Sequence, residues 1–203
     1  MVDLQRELGS MDIYLLDQIL RGRIDASMKV FDAGCGRGRN LTWFFRSGAE
    51  ISAVDQDSEA ISQVQSLATQ LASKLSASNF RAEPIESHSF PDGWADIVIS
   101  SAVLHFARDD EQFNAMLEGS WRTLRPGGLF FCRLASTIGM EDRFERLTGR
   151  RFILPDGSER YLVDERMLIE LATSLGGTLL DPIKTTVVQN QRCMSTWVLR
   201  RAG

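Results

Sequence analysis

A parallel sheet with helices on both faces is the fold class this sequence predicts, and three observations predict it. Short runs rich in β-branched and aromatic residues alternate with stretches whose apolar positions recur at helical spacing. Glycines cluster where the first of these runs turns into a helix. The tail breaks the alternation, with two strand-like runs that follow each other without a helix between them.

Each element can be justified in order. "MDIYLLDQIL" reads as an N-terminal helix whose apolar face covers the sheet. "MKVFDAG", "AEISAVDQD", "SNFRAEP", "ADIVISS" and "GGLFFCRLA" read as strands that end in small or acidic residues. Between them, "RNLTWFFRSG", "DSEAISQVQSLATQLASKL" and "DDEQFNAMLEGSWRTLRPGG" carry the helical period. Asp57 and Ser58 suit a helix N-cap, as do Asp109 and Asp110, and Pro126-Gly127-Gly128 ends the later helix. "VDERMLIELATSLGG" predicts a last helix, then "TLLDPIKTTVV" and "RCMSTWVLRR" two strands joined by "QNQ". Strands that close together pair antiparallel, so one strand near an edge runs against the rest. Trp43, Trp121 and Trp197 fall on apolar faces and are expected in the core.

The 203 residues fit one domain spanning 1–203. Hydrophobic residues make up 43% and charged residues 25%, the balance of a soluble globular protein. A net charge of −4 argues against a general affinity for nucleic acid or an anionic membrane. The acidic, amphipathic start is no secretory signal, and no apolar run approaches the roughly 20 residues that span a bilayer. Cys35, Cys132 and Cys193 fit neither a disulfide framework nor a metal spacing, which points to a reducing, cytoplasmic compartment and no metal site. The "NLT" sequon at Asn40 is set aside on the same ground. A monomer and a homodimer are equally compatible with these features.

The chemistry concentrates in "KVFDAGCGRGRN". Val30, Phe31 and Asp32 end the first strand, and Gly34, Gly36 and Gly38 form the turn. Such glycines let backbone approach a ligand closely, beside a helix N-terminus that offers free N–H groups. A dinucleotide fingerprint needs a third glycine where Arg39 stands, and no Gly-Lys-Ser or Gly-Lys-Thr follows, so both phosphate-binding motifs are excluded. A ligand with an amino-acid group and a nucleoside, but no pyrophosphate, fits better. Asp55, at the tip of the second strand, can accept both hydrogen bonds of a ribose diol.

"FDAGCGRGRN", "AVDQD", "FPDGWADIVISSAVLHF" and "LRPGG" resemble the successive motifs of the class I S-adenosylmethionine-dependent methyltransferases, over roughly Met28 to Leu134. "GCGRGRN" and "MSTWVLRR" carry a weaker similarity to tellurite-resistance and related small-molecule methyltransferases. The resemblance implies a Rossmann-like doubly wound sheet of order 3-2-1-4-5-7-6. It also implies S-adenosylmethionine as cofactor, S-adenosylhomocysteine as product and a small-molecule acceptor. Asp32 would meet the methionine ammonium, and Gly34, Cys35 and Gly36 would lie along the methionine and ribose. Arg39 or Asn40 would stand near the carboxylate. Asp55 would hold the ribose hydroxyls, Gln56 would lie against the adenine, and Ser100, Ser101 and Val103 would line the methionine side. Tyr14, in the region 1–25 that would cap the cofactor, either touches it or packs in the core.

Two departures from the family pattern stand out. The acid that usually receives the adenine amino group falls on Pro84; Glu83 or Glu86 could substitute, or the N–H of Ile85 could serve the ring. Phe106 stands where many relatives have histidine. Of the two histidines, His105 is either a base or acceptor-positioning group, or a half-buried loop residue, and His88 is expected at the surface. Cys35 is expected to pack as a small side chain. Residues 135–164, rich in arginine and acids with a "PDGS" turn, are either a substrate lid or a solvated structural loop. Arg192 could meet an anionic acceptor if its hairpin turn faces the site. In-line displacement at a sulfonium needs positioning more than acid–base groups. The alternative reading is a non-catalytic nucleotide-cofactor-binding protein, or a nucleotide-cofactor reductase of related fold.

Overall fold

The computed structural model describes residues 3–203, and its centre is the strand that precedes the glycine turn. This strand, β1 (Lys29–Ala33), pairs in parallel with β2 (Glu50–Asp55) on one side and β4 (Ala95–Ser101) on the other. β3 (Phe80–Ala82) extends the sheet beyond β2, and β5 (Leu124–Ala135) beyond β4. The C-terminal strand β11 (Arg192–Arg201) runs antiparallel to β5, and β10 (Lys184–Val188) closes that edge. The path is therefore β3-β2-β1-β4-β5-β11-β10. This is the expected order, with only β11 running against its neighbours.

Two apolar layers explain why the strands read as near-continuous hydrophobic runs. Val30, Ile51, Ile97 and Phe131 face Leu15 of α2 (Ile13–Leu20), Phe44 of α3 (Thr42–Ser47) and Val64 of α4 (Ser58–Leu71). Phe31, Val98 and Phe130 face Phe113 of α5 (Asp110–Thr123) and Leu168 of α6 (Glu165–Ser174). Asp57 caps α4 by accepting from the N–H groups of Glu59 and Ala60, and Asp109 caps α5 by accepting from Gln112. A short α1 (Leu4–Leu8) precedes α2. Trp121 and Trp197 are buried as expected, whereas Trp43 is only half-buried.

Three expectations need correction. "TLLDPIKTTVV" is two strands, β9 (Gly177–Leu179) and β10, both against β11. Pro182 has no N–H for a ladder, and Asp181 is held at the break by Arg23, 2.6 Å away, and by Gln18 at 3.2 Å. Residues 135–164 hold more than one hairpin: β6 (Glu145–Thr148), β7 (Arg151–Ile153) and β8 (Glu159–Tyr161) form a separate antiparallel sheet. β6 is exposed throughout and carries no apolar alternation, so sequence gave no sign of it. His88 is buried, not at the surface. Its ring lies 4.9 Å from that of Phe31, Nε2 stands 3.0 Å from the Gly119 carbonyl, and burial lowers its pKa.

The small sheet is fixed to the main body. Tyr161, fully buried, stacks on Phe113 with centroids 4.6 Å apart and an angle of 15°, and its hydroxyl donates to Asp110 at 2.8 Å. Arg151 donates to the Ala107 carbonyl from the same sheet at 3.2 Å. Among the described residues, no helix is long and apolar enough to cross a membrane. The three cysteines are buried and unpaired.

Candidate active site

A cleft of about 540 Å³ opens at the carboxyl ends of β1, β2 and β4, where the sheet order reverses. Its floor is the turn after β1. Gly34 has φ +83°, and a Cβ there would stand 2.6 Å from Val103, so no other residue fits without displacing the loop after β4. A Cβ on Gly36 would meet nothing, because that position opens into the cleft.

Four of the turn's N–H groups are not free. Gly34 and Cys35 both donate to the Val54 carbonyl, at 2.9 and 3.0 Å, and Gly38 donates to the Cys35 carbonyl at 2.9 Å. Gly36 donates to Oδ2 of Asp55 at 2.8 Å. These bonds close the turn onto the end of β2; among the described residues the N–H groups of Arg37, Arg39 and Asn40 have no acceptor. What it contributes is space and a lining of bare backbone.

Asp55 stands half-buried in the cleft wall, its Oδ1 accepting from the N–H of Asp57 at 3.0 Å. Each of its oxygens retains a further lone pair directed away from the protein's own donors. Asp32 lies deeper and is 1% exposed. Its Oδ2 has no hydrogen-bond partner, and burial, opposed by Arg39 and reinforced by Asp55, pushes its pKa up to about 7. An orphaned buried carboxylate is costly unless a cation joins it.

Arg39 donates to the Ser101 hydroxyl at 3.0 Å and lies 3.6 Å from Asp12, a nearly buried acid. Asn40 accepts the Asp12 N–H at 3.0 Å, and Arg133 approaches the same carboxylate at 3.2 Å. This cluster joins the start of α2 to the ends of β4 and β5. Asp12 and Arg133 escaped the sequence reading. Asp12 looks like an ordinary N-cap, which it also is, accepting from Tyr14 at 2.9 Å.

The other expected residues divide. Cys35, Gln56, Ile85, Glu86, Ser101 and Val103 line the cleft. Burial, with Asp32 and Asp55 nearby, holds the Cys35 thiol protonated. Ser100 does not line it: successive strand residues face opposite sides, and Ser100 points into the sheet, fully buried. Glu83 is turned away, its carboxylate accepting from the N–H and hydroxyl of Ser89, both at 2.7 Å. Burial works against ionisation there, but those bonds hold the Glu83 carboxyl below its usual range. Glu86 stays at the cleft, accepting from Gln112 at 3.1 Å. Gly119 permits this geometry, since a Cβ there would meet the Ile85 carbonyl at 2.2 Å. Tyr14 is outside the wall, bonded to Thr186 and under the guanidinium of Arg133 at 5.4 Å.

His105 is 5% exposed and faces the interior, with Nδ1 accepting the Ala135 N–H at 3.1 Å. Burial, with Arg160, Arg133 and Arg192 nearby, lowers its pKa to about 3. It is neutral at physiological pH and a poor proton acceptor. Its neighbour Phe106 is 56% exposed and lines the cleft, under the guanidinium of Arg160 at 4.8 Å. Arg192 pairs loosely with Asp156 at 3.7 Å. Ala102, with φ +65°, turns the chain between β4 and the cleft loop, a strain with no sequence signature.

Comparison with known proteins agrees with this architecture. A 1,6-didemethyltoxoflavin-N1-methyltransferase from Burkholderia thailandensis, solved with 1,6-didemethyltoxoflavin and S-adenosylhomocysteine, has the same fold. That structure superposes with a TM-score of 0.71 at 20% identity, over 99% of this chain and 82% of that one. A SAM-dependent methyltransferase from Methanosarcina mazei gives 0.73 at 19% identity, over 91% of this chain and 97% of its own. A malonyl-[acyl-carrier protein] O-methyltransferase from Pseudescherichia vulneris is 32% identical over 108 residues, 53% of this chain but only 39% of that relative. Residues 31–132 match the family model described as a methyltransferase domain. The chain belongs to the methyltransferase-domain family, and its sheet is the class I S-adenosylmethionine-dependent methyltransferase fold.

Proposed function

We propose that this protein transfers a methyl group from S-adenosylmethionine to a small-molecule acceptor by in-line displacement. One observation carries the reading: a buried, unpartnered carboxylate, Asp32, beneath a glycine-lined cleft with Asp55 at its side. A ligand with an ammonium at one end and a vicinal diol further along suits both acids. The cavity above Gly36 supplies room that any side chain would fill.

On this reading Asp32 receives the ammonium and Asp55 the ribose hydroxyls. The backbone of Gly34, Cys35 and Gly36 shapes the floor between them. Arg39, oriented by Ser101 and Asp12, meets the carboxylate, with Asn40 holding the start of α2 in place. Gln56, Ile85 and Glu86 surround the adenine, and Glu86 takes the place of the acid that Pro84 lacks. Val103 and Ser101 bound the methionine side. The described part of the N-terminal region, residues 3–25, closes the methionine end through Asp12, and residues 135–164, anchored by the Tyr161–Asp110 hydrogen bond, cover the acceptor side.

When bound, S-adenosylmethionine supplies a methyl group on a positively charged sulfur. The protein's share is to align the acceptor and exclude water, which can lower a barrier by roughly 7–11 kcal/mol. His105 then acts by positioning, its ring fixing the loop that presents Phe106, and takes no proton. Titration calorimetry tests the reading. S-adenosylhomocysteine should bind at micromolar concentration and NADH should not; preferential binding of NADH would replace the proposal with the reductase reading.

A further inference from the structure

The wall of the cleft opposite Asp32 and Asp55 has the reverse electrostatic sign. Arg133 at the end of β5, Arg160 on β8 and Arg192 at the start of β11 all act on His105, the residue before Phe106. Topology brings them together: β11 is antiparallel to β5, with Met194 opposite Ala135, so Arg192 stands just beyond the carboxyl end of β5, on the side of the sheet's end where Arg160 covers Phe106 of the cleft lining. The turn before it, with positive φ at Gln189 and Asn190, is a tight hairpin turn that fixes Arg192 beside the small sheet.

Their charges are incompletely matched. Arg133 shares Asp12 with Arg39, at 3.2 and 3.6 Å. Arg192 has only Asp156, at 3.7 Å. Arg160 makes no ion pair among the described residues; it donates to the Glu159 carbonyl at 2.6 Å, and its guanidinium carbon stands over the Phe106 ring, 4.8 Å from the centroid. A guanidinium stacked on an exposed ring keeps its in-plane N–H groups directed outward, the geometry that grips an oxyanion bidentately. Arg160 and Arg192 are therefore the guanidiniums of this side with the least pairing: one has no acid within salt-bridge distance among the described residues, the other a single distant one.

We propose that the methyl acceptor is an organic anion, with its negative group held by Arg160 and Arg192 and its apolar body against Phe106. This rests on the methyl-transfer reading above and specifies its substrate class. It also agrees with a buried His105 that is a poor proton acceptor. An acceptor such as a carboxylate arrives deprotonated, so an oxygen lone pair forms the new O–CH3 bond as the C–S bond breaks onto sulfur. The anion and the sulfonium become a neutral ester and a neutral thioether, and no proton moves.

The test uses the full chain saturated with S-adenosylhomocysteine and a set of carboxylic acids, from acetate to naphthoate size, each paired with its own carboxamide. Binding is followed by thermal shift and calorimetry. At least one acid should bind about 10-fold or more tightly than its amide. Arg160→Gln/Arg192→Gln should abolish that preference while binding S-adenosylhomocysteine unchanged, and Arg160→Lys/Arg192→Lys should restore part of it. Acids and amides binding alike across the set would overturn the inference, as would a preference that survives in the double glutamine variant. Failure of S-adenosylhomocysteine to bind the unmodified protein would bring down the methyl-transfer reading first, and this inference with it.

Discussion

The two walls of the cleft are built by different means. The wall of β1, β2 and their turns is local: Gly34, Gly36, Asp32 and Asp55 come from two short strand ends, and the turn amides are spent on Val54 and Asp55. The opposite side is assembled from far apart in the chain: Phe106, after β4, lines the cleft, Arg160 of the small sheet covers its ring, and Arg192 of the last hairpin stands beside that sheet. The first wall offers carboxylates and empty space, the second guanidiniums and an exposed ring. A scaffold that binds one constant ligand can afford a fixed local motif. On the proposed reading, acceptor recognition falls to the segments on the other side, as loops positioned by a rigid sheet generally carry specificity.

That contrast predicts that the walls fail separately. The largest effect is expected for Tyr161→Ala, which removes a buried ring stacked on Phe113 and should cost about 3–5 kcal/mol. Chemical denaturation checks the loss, and hydrogen exchange should show it concentrated in residues 145–161. The affinity of the remaining folded protein for S-adenosylhomocysteine should stay within about threefold. A parallel collapse of that affinity would show the walls to be coupled.

Asp32 gives a prediction with a definite sign. Its folded pKa, about 7, is raised above the ordinary 3.8, so the folded state holds a proton that the unfolded state releases. The stability it lends is complete below about pH 4 and is lost as pH rises through 7, a span of up to about 4 kcal/mol. Asp17, Asp164 and Asp181, whose pKa values are lowered, slope the other way, so the difference from Asp32→Asn is what must be measured. Ligand-free wild type should lose stability relative to the variant between pH 4 and 7, and saturating S-adenosylhomocysteine should reverse the ranking at pH 7. Superimposable pH profiles would contradict the placement of an unpartnered acid.

Asp55→Ala should weaken S-adenosylhomocysteine binding by about 10–100-fold with a smaller loss of stability, since both carboxylate oxygens also tie down backbone N–H groups. Unchanged affinity would remove Asp55 from the ribose. The smallest effect belongs to Gln112→Leu, which frees Glu86 from a single hydrogen bond and should alter binding by about 0.5–1.5 kcal/mol. An effect as large as that of Asp55→Ala would shift the weight of recognition to the adenine end.

Legibility in the sequence follows the same division. Helix caps and the residues of the glycine turn could be read because each is a local pattern, cap or strand-to-helix glycine; the strand order came from the family resemblance. Asp12 and Arg133 could not, since their ion pair spans elements that only the folded sheet brings together. Ser100 was misplaced by one step of the strand pleat, and His88 by a loop that tucks under Gly119. The amides of Gly34, Cys35 and Gly36 are taken up by the closure of the loop onto β2, a bond pattern that spacing alone does not reveal. β6, polar and exposed, has no hydrophobic signature at all.

The most direct measurement of the central claim is an amide-resolved titration of the isotope-labelled protein with S-adenosylhomocysteine. Saturable shifts centred on Gly34 to Gly36, Asp55 to Asp57 and Ile85 to Glu86, absent with NADH, are the predicted result. Shifts clustered elsewhere, or none at millimolar ligand, would contradict it.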